Sequence, residues 1–235
     1  MSLLELDHVS KRYRHGARNV EVLCDVSLEV HERELVAVWG TPRSGRSTLL
    51  RIAGGIEAPD SGAVRFRERA LAVGAGPVAG GIAYCQPTLR SLEGQLVMDE
   101  LIAAQLALGI RASGAKTRAE QALERVGARH CEGRRPVELD RAEEVRVGVA
   151  RALLQAPALL LIDEPIKGVD PLERDNILEL LRGLSRDGVA VLMTLDKGVG
   201  LYGADRPLSL GEGRLRGHIT PDLAPVVRIP LRLSG

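Results

Sequence analysis

The chain has 235 residues, 45% of them hydrophobic and 27% charged. That excludes a disordered polypeptide and is enough for one large domain with a sizeable core. Its 32 basic and 31 acidic side chains leave a net charge of +1, too little for a general nucleic-acid binder, so no nucleic-acid partner is expected.

No uninterrupted apolar run approaches the roughly 20 residues that cross a bilayer. The charged start, MSLLELDHVSKRY, does not read as a secretory signal. Cys24, Cys85 and Cys131 lie far apart without a CxxC spacing, which suggests reduced thiols rather than a zinc site. Only four of the basic residues are lysines (Lys11, Lys116, Lys167 and Lys197). The aromatics are few: Tyr13, Trp39, Phe66, Tyr84 and Tyr202.

In chain order, 3–9 and 20–30 show apolar alternation and predict strands. LVAVW at 35–39 is a short apolar run ending at Gly40, the pattern of a buried strand. STLLRIA at 47–53 reads as a helix. From about 89 to 154 the chain is helix-rich, through QLVMDELIAAQLALGI, TRAEQALERVGARH and DRAEEVRVGVARALL. ALLLI at 158–162 and VAVLMTL at 189–195 predict buried strands, with LERDNILELLRGL at 172–184 a helix between them. No period of 20 to 50 residues repeats, which argues against a solenoid. Strand–helix alternation at both ends with a helical middle predicts one α/β domain over 1–235. Its core covers about 1–87 and 156–217, its helical subdomain about 88–155, and 218–235 is a tail without an interpretable pattern.

Gly40-Thr41-Pro42-Arg43-Ser44-Gly45-Arg46-Ser47-Thr48 follows the LVAVW strand and opens a helix. That is the context of a phosphate loop, G-x-x-x-x-G-K-[ST]. Glycines let the backbone wrap an anion, and the amides at the helix start point at it. Ser47 would offer its hydroxyl to Mg²⁺. The motif's lysine is Arg46. The strand ALLLIDEP (158–165) ends in two carboxylates. Asp163 could hold the magnesium and Glu164 could orient or deprotonate an attacking water. Read alone, a Gly-rich turn or a polar strand end is also compatible with a purely structural role. The order of the two motifs favours a shared site at the carboxyl edge of a parallel sheet.

With these pieces the sequence resembles the ATP-binding subunits of ABC transporters, from Leu4 to about Leu215. VSKRY ends at Tyr13, matching the family's adenine-stacking aromatic. IAYCQP supplies Gln86 at its glutamine loop, where the resemblance implies a ligand of Mg²⁺. RVGVARALLQAPALLLIDEP (146–165) matches the segment leading into the acidic strand. GVDP (168–171) matches the D-loop, with Asp170, and ADRPLSLGEGRL (204–215) the closing strand pair. The short form most resembles the subfamily that serves lipoprotein-release and macrolide-efflux permeases. The resemblance implies a P-loop, RecA-like α/β core with an antiparallel β subdomain and a helical subdomain. It also implies ATP and Mg²⁺ as ligands, a head-to-tail dimer with two sandwiched nucleotides, and transmembrane permease partners at the cytoplasmic face of the membrane. The permease would sit in a groove near residues 86–101.

Three departures concern the nucleotide. Arg46 replaces the lysine, and its planar guanidinium is larger than an ammonium. The family's L-S-G-G-Q signature is here Leu139-Asp140-Arg141-Ala142-Glu143, without glycines and with a carboxylate where a phosphate should dock. Asp140 with Glu143 instead reads as a capping box. After the last core strand, Met193-Thr194-Leu195-Asp196 puts Leu195 in the place of the switch histidine. The resulting expectation is a catalytically degenerate subunit. It would bind ATP with weak or no hydrolysis and pair with a different, motif-complete ATP-binding chain. The alternatives are an ordinary ATP-hydrolysing transport motor and, less favoured, a soluble non-transport ABC-type protein.

Overall fold

The computed structural model describes residues 2–16, 18–74, 81–85, 95–107, 109–196, 198 and 201–217. Two sheets carry its strands. β1 (Ser2–His15) and β2 (Arg18–His31) form a long antiparallel hairpin, extended by β4 (Ser61–Phe66) and β5 (Arg69–Ala70) in the order β2-β1-β4-β5. The second sheet has six strands. Its members are β3 (Leu35–Trp39), β6 (Ile82–Cys85), β7 (Leu159–Ile162), β8 (Ala190–Leu195), β9 (Arg206–Gly211) and β10 (Arg214–Gly217). They run in the order β10-β9-β3-β8-β7-β6. All neighbouring pairs are parallel except the terminal β9–β10 ribbon.

The continuous apolar runs in the sequence follow from burial of this sheet on both faces. Along β3, Leu35 and Ala37 enter one core while Val36 and Val38 enter another. β7 divides Leu160 and Ile162 from Leu159 and Leu161 in the same way. On β8, Val191, Met193 and Leu195 face the first core and Ala190 and Leu192 the second.

One core lies between the six-stranded sheet and the helices α2 (Val97–Ala107), α3 (Ala112–Arg125), α4 (Arg141–Leu153) and α5 (Pro171–Arg186). The other lies between the two sheets and encloses α1 (Arg46–Ala53). Arg151 reaches Glu100 at 2.8 Å and Gln105 donates to the Leu154 carbonyl at 3.1 Å, so polar ties join α4 and its end to α2. This architecture brings the carboxyl ends of β3, β7 and β8 to one edge. β8 lies between the other two, with Val38 opposite Thr194 and Ile162 opposite Met193.

Candidate functional site

The turn from β3 into α1 requires glycine at both ends. At Gly40 a Cβ would stand 2.4 Å from the Leu210 carbonyl oxygen. Gly45 has φ +101°, and a Cβ there would lie 2.6 Å from the Val22 carbonyl oxygen. Neither place admits a side chain. Between them Ser44 closes the turn with its amide on the Thr41 carbonyl at 3.1 Å. Arg43 adopts φ +67°, a strained conformation for a non-glycine residue.

Two buried polar atoms in this loop, the Ser44 hydroxyl oxygen and Arg46 Nη1, have no hydrogen-bond partner. The first turn of α1 carries no acidic side chain, and no side chain caps it. Orphaned donors at a helix N-terminus are what a phosphate satisfies, so the residues present fit a polyphosphate. Ser47 and Asp163 supply oxygen donors of the kind a hard cation such as Mg²⁺ prefers.

The facing wall comes from the ends of β7 and β8. Thr194 is fully buried and its hydroxyl serves both acidic residues. It donates to Asp163 Oδ1 and accepts the Glu164 amide at 3.1 Å. Glu164 has φ +49°, which turns its side chain back toward the loop. Its Oε1 accepts from Arg46 Nη2 at 2.8 Å, and its Oε2 is paired with Lys167. The Arg46 side chain is only 6% exposed and that of Glu164 19%. The guanidinium therefore fits beneath the loop, and the partner that compensates its burial is the carboxylate expected to act as base.

The resulting cleft has a volume of about 540 Å³ and is lined by Tyr13, Val22, Pro42, Arg43, Ser44, Gly45, Arg46, Ser47, Thr48, Glu164, Lys167 and Asp196. Gly40 and Thr41 line a neighbouring pocket with Trp39, Ser209 and Arg216. Tyr13 is half-buried at the cleft's margin. Its hydroxyl donates to Glu57 at 2.6 Å, accepts from Arg51 at 3.1 Å and lies 3.3 Å from the Thr48 hydroxyl. Burial alone would raise the Glu57 carboxyl, but Tyr13, Arg51 and Lys11 hold it below the usual range.

Of the remaining predicted positions among the described residues, Asp163, Leu195, Asp170 and 139–143 do not line this cleft. Leu195 is 1% exposed and belongs to the helical-side core. Asp170 caps α5, accepting the Leu172 amide at 3.0 Å. At the start of α4, Asp140 accepts the Glu143 amide at 2.8 Å and Glu143 accepts the Asp140 amide at 2.9 Å. The helix terminus is thus satisfied by its own carboxylates. Leu139 and Ala142 are buried beside it, and Arg141 donates to the Lys167 carbonyl at 3.2 Å. Gln86 lies outside the described residues, as do 86–94 of the expected groove and the tail at 218–235.

His130, Cys131 and Glu143 also converge, with their ligand atoms within 4.8 Å of one another. Arg134, however, stands 2.6 Å from Glu143 Oε1, and the Asp140 amide occupies Oε2. Burial and the Glu143 charge push the Cys131 thiol up to about 11. The cluster is a satisfied clamp on α4.

Sequence reasoning passed over Thr194, Lys167, Asp196, Arg51 and Glu57. The one hydroxyl in the apolar run VAVLMTL, and a lysine three residues after the acid pair in a lysine-poor chain, were the available signals.

A family model described as "ABC transporter" matches residues 23–167, well over half of the chain. Among solved structures, the fold is similar to MJ0796, described as a bacterial ABC transporter cassette and solved as a dimer. That likeness has a TM-score of 0.78 and 22% identity over 91% of this chain and 96% of the other. It is also similar to the ADP conformation of MJ1267, an ATP-binding cassette of an ABC transporter, with a TM-score of 0.81 and 22% identity over 92% and 90% of the two chains. A third is cbiO1 from Clostridium perfringens, part of the ABC transporter complex cbiONQ. Its TM-score is 0.79 at 22% identity, covering 92% of this chain and 87% of that one. No helix among the described residues is long and apolar enough to cross a membrane. On the matched family model, with the loop, the acidic strand end and the two-sheet architecture in agreement, the chain belongs to the ABC transporter family and has the fold of its ATP-binding cassettes.

Proposed function

We propose that this cassette binds Mg-ATP through the loop at 40–48, with Tyr13 against the base, and that it turns the nucleotide over poorly. Ser47, Gln86 and Asp163 would hold the magnesium. The observation that carries this reading is the Glu164 carboxylate, engaged on both oxygens by Arg46 and Lys167. In the nucleotide-free site its two oxygens are held by the same cations that a nucleotide's phosphates would draw on, so base and phosphate compete for them. Two further features support it. The N-terminus of α4 is capped by Asp140 and Glu143 where a partner's phosphate would need bare amides. Leu195 offers no polar atom at the switch position.

The chain would then act as a binding or regulatory half at the cytoplasmic face of a membrane, beside permease subunits and a second, motif-complete ATP-binding chain. The lipoprotein-release and macrolide-efflux type is the finer reading that the stretch from Leu4 to about Leu215 resembles. The retained pair Asp163 and Glu164 favours the second reading, an ordinary transport motor. Steady-state turnover of the purified chain decides between them. Very slow hydrolysis with measurable ATP binding is expected. Brisk turnover abolished by Glu164→Gln would falsify the degenerate reading.

A further inference from the structure

We propose that Lys167 is a ligand for the terminal phosphate of a nucleoside triphosphate, supplying from the turn after β7 the donor that position 195 lacks, and that it sets the site's preference for triphosphate over diphosphate. The proposal rests on the nucleotide-binding reading of the cleft and adds a specificity residue to it.

Four observations support it. Lys167 lines the same cleft as Arg46, Ser47 and Thr48, on the side where Glu164 stands. Its side chain is 58% exposed and carries an ammonium with three donors on a flexible stem. Arg46, by contrast, is buried and held by the single hydrogen bond from its Nη2 to Glu164. Leu195, in turn, points away into the helical-side core, so among the described residues the end of β8 and the residue after it contribute the Asp196 carboxylate to the cleft and no donor side chain. Finally, among the described residues the charged groups lining the cleft are Arg43, Arg46 and Lys167 against Glu164 and Asp196, a surplus of one cation.

In a phosphate loop the backbone amides cradle the inner phosphates, and the conserved cation position reaches the outer ones. Here that position is shared. Arg46 and Lys167 grip one carboxylate from its two sides, in the manner in which two cations grip a phosphate. A nucleotide carrying only two phosphates is served by the loop amides and Arg46. A third phosphate adds charge at the Glu164 side, where Lys167 presents an exposed ammonium.

The test is calorimetric titration of the full chain with ADP and with a non-hydrolysable ATP analogue, for the wild type, Lys167→Ala, Lys167→Arg and the remote surface variant Lys116→Ala. Loss of one charge-assisted hydrogen bond predicts that Lys167→Ala weakens the analogue by about 10-fold or more while ADP affinity changes by less than about 2-fold. Lys167→Arg should retain most of the preference, and Lys116→Ala should alter neither ligand. A parallel loss for both nucleotides would make Lys167 a structural support of Glu164 and overturn the proposal. So would unchanged analogue affinity in Lys167→Ala. A wild-type chain that binds neither nucleotide overturns the nucleotide reading itself, a result distinct from loss of selectivity alone.

Discussion

The Gly45 position combines φ +101° with contact against the Val22 backbone. It ties the loop to the β hairpin above it. Gly45→Ala should therefore lower unfolding free energy by about 1–3 kcal/mol and weaken nucleotide binding with it, measured by urea unfolding and titration. At Glu164 the geometry predicts a different response. Glu164→Gln leaves the buried Arg46 guanidinium without its anion, so the nucleotide-free protein should lose about 2 kcal/mol of stability. Added ADP should recover more of that loss than it adds to the wild type, because its phosphates satisfy the same guanidinium. Thermal unfolding with and without ADP reads both effects. Tyr13 offers a ring face as well as a hydroxyl committed to Glu57 and Arg51. A stacked base contributes about 1–3 kcal/mol, so Tyr13→Ala should weaken ATP binding by about 10-fold and Tyr13→Phe much less. Equal losses in both would assign the effect to the hydroxyl network instead.

At the scale of elements, α4 shows how local stability and function diverge. Its reciprocal cap, Asp140 with Glu143, contributes about 1 kcal/mol by comparison with other caps, and Asp140→Ala should cost that much in unfolding experiments. The cap also carries a pH signature. Burial alone would raise the Glu143 carboxyl. The Asp140 amide, His130 and Arg134 nevertheless hold it below the ordinary range. A carboxylate whose folded value lies below its unfolded value of about 4.3 adds stability above that value and loses it as pH falls through the folded one. Wild-type stability should therefore fall more steeply with acidification below about pH 5 than that of Glu143→Gln, as read from thermal midpoints across pH. The same arrangement that stabilises the helix occupies amides at its start, so a nucleotide docking there would have to displace a carboxylate.

For the whole molecule, the departures from the family motifs act together. Two copies of this chain would place Arg46, Leu195 and the capped α4 terminus in both composite sites. A motif-complete partner would leave one site with an intact loop and histidine and the other with an intact signature. Native mass spectrometry of the membrane complex should show one copy of this chain with a different ATP-binding subunit. Two copies and no other would refute that composition. Repair of turnover should be strongly non-additive, since the groups that fix a terminal phosphate act as a unit. Arg46→Lys or Leu195→His alone should leave hydrolysis low. Leu195→His should also lose stability, because it puts an imidazole into a fully buried apolar site. Both together with Ser-Gly-Gly at 140–142 should raise the rate well beyond either single change.

Much of this architecture was legible in the residues. LVAVW, ALLLI and VAVLMTL read as buried strands because a parallel sheet covered on both faces leaves no polar alternation. The turn after Gly40 was legible because an anion-wrapping loop needs glycines at a fixed spacing, and the α4 cap because D-x-x-E is a short-range pattern. What joins these pieces was not local. Arg46 and Glu164 lie 118 residues apart, and their pairing depends on β3 and β7 flanking β8 in the sheet order. The same order puts the Thr194 hydroxyl between the Asp163 carboxylate and the Glu164 amide and turns Leu195 into the core. Periodicity and spacing therefore determined the elements and where an anion could be held. Only the tertiary packing decided that the Glu164 carboxylate and the two cations would pair with one another, since burying a charge requires a partner and the fold alone determines which one is within reach.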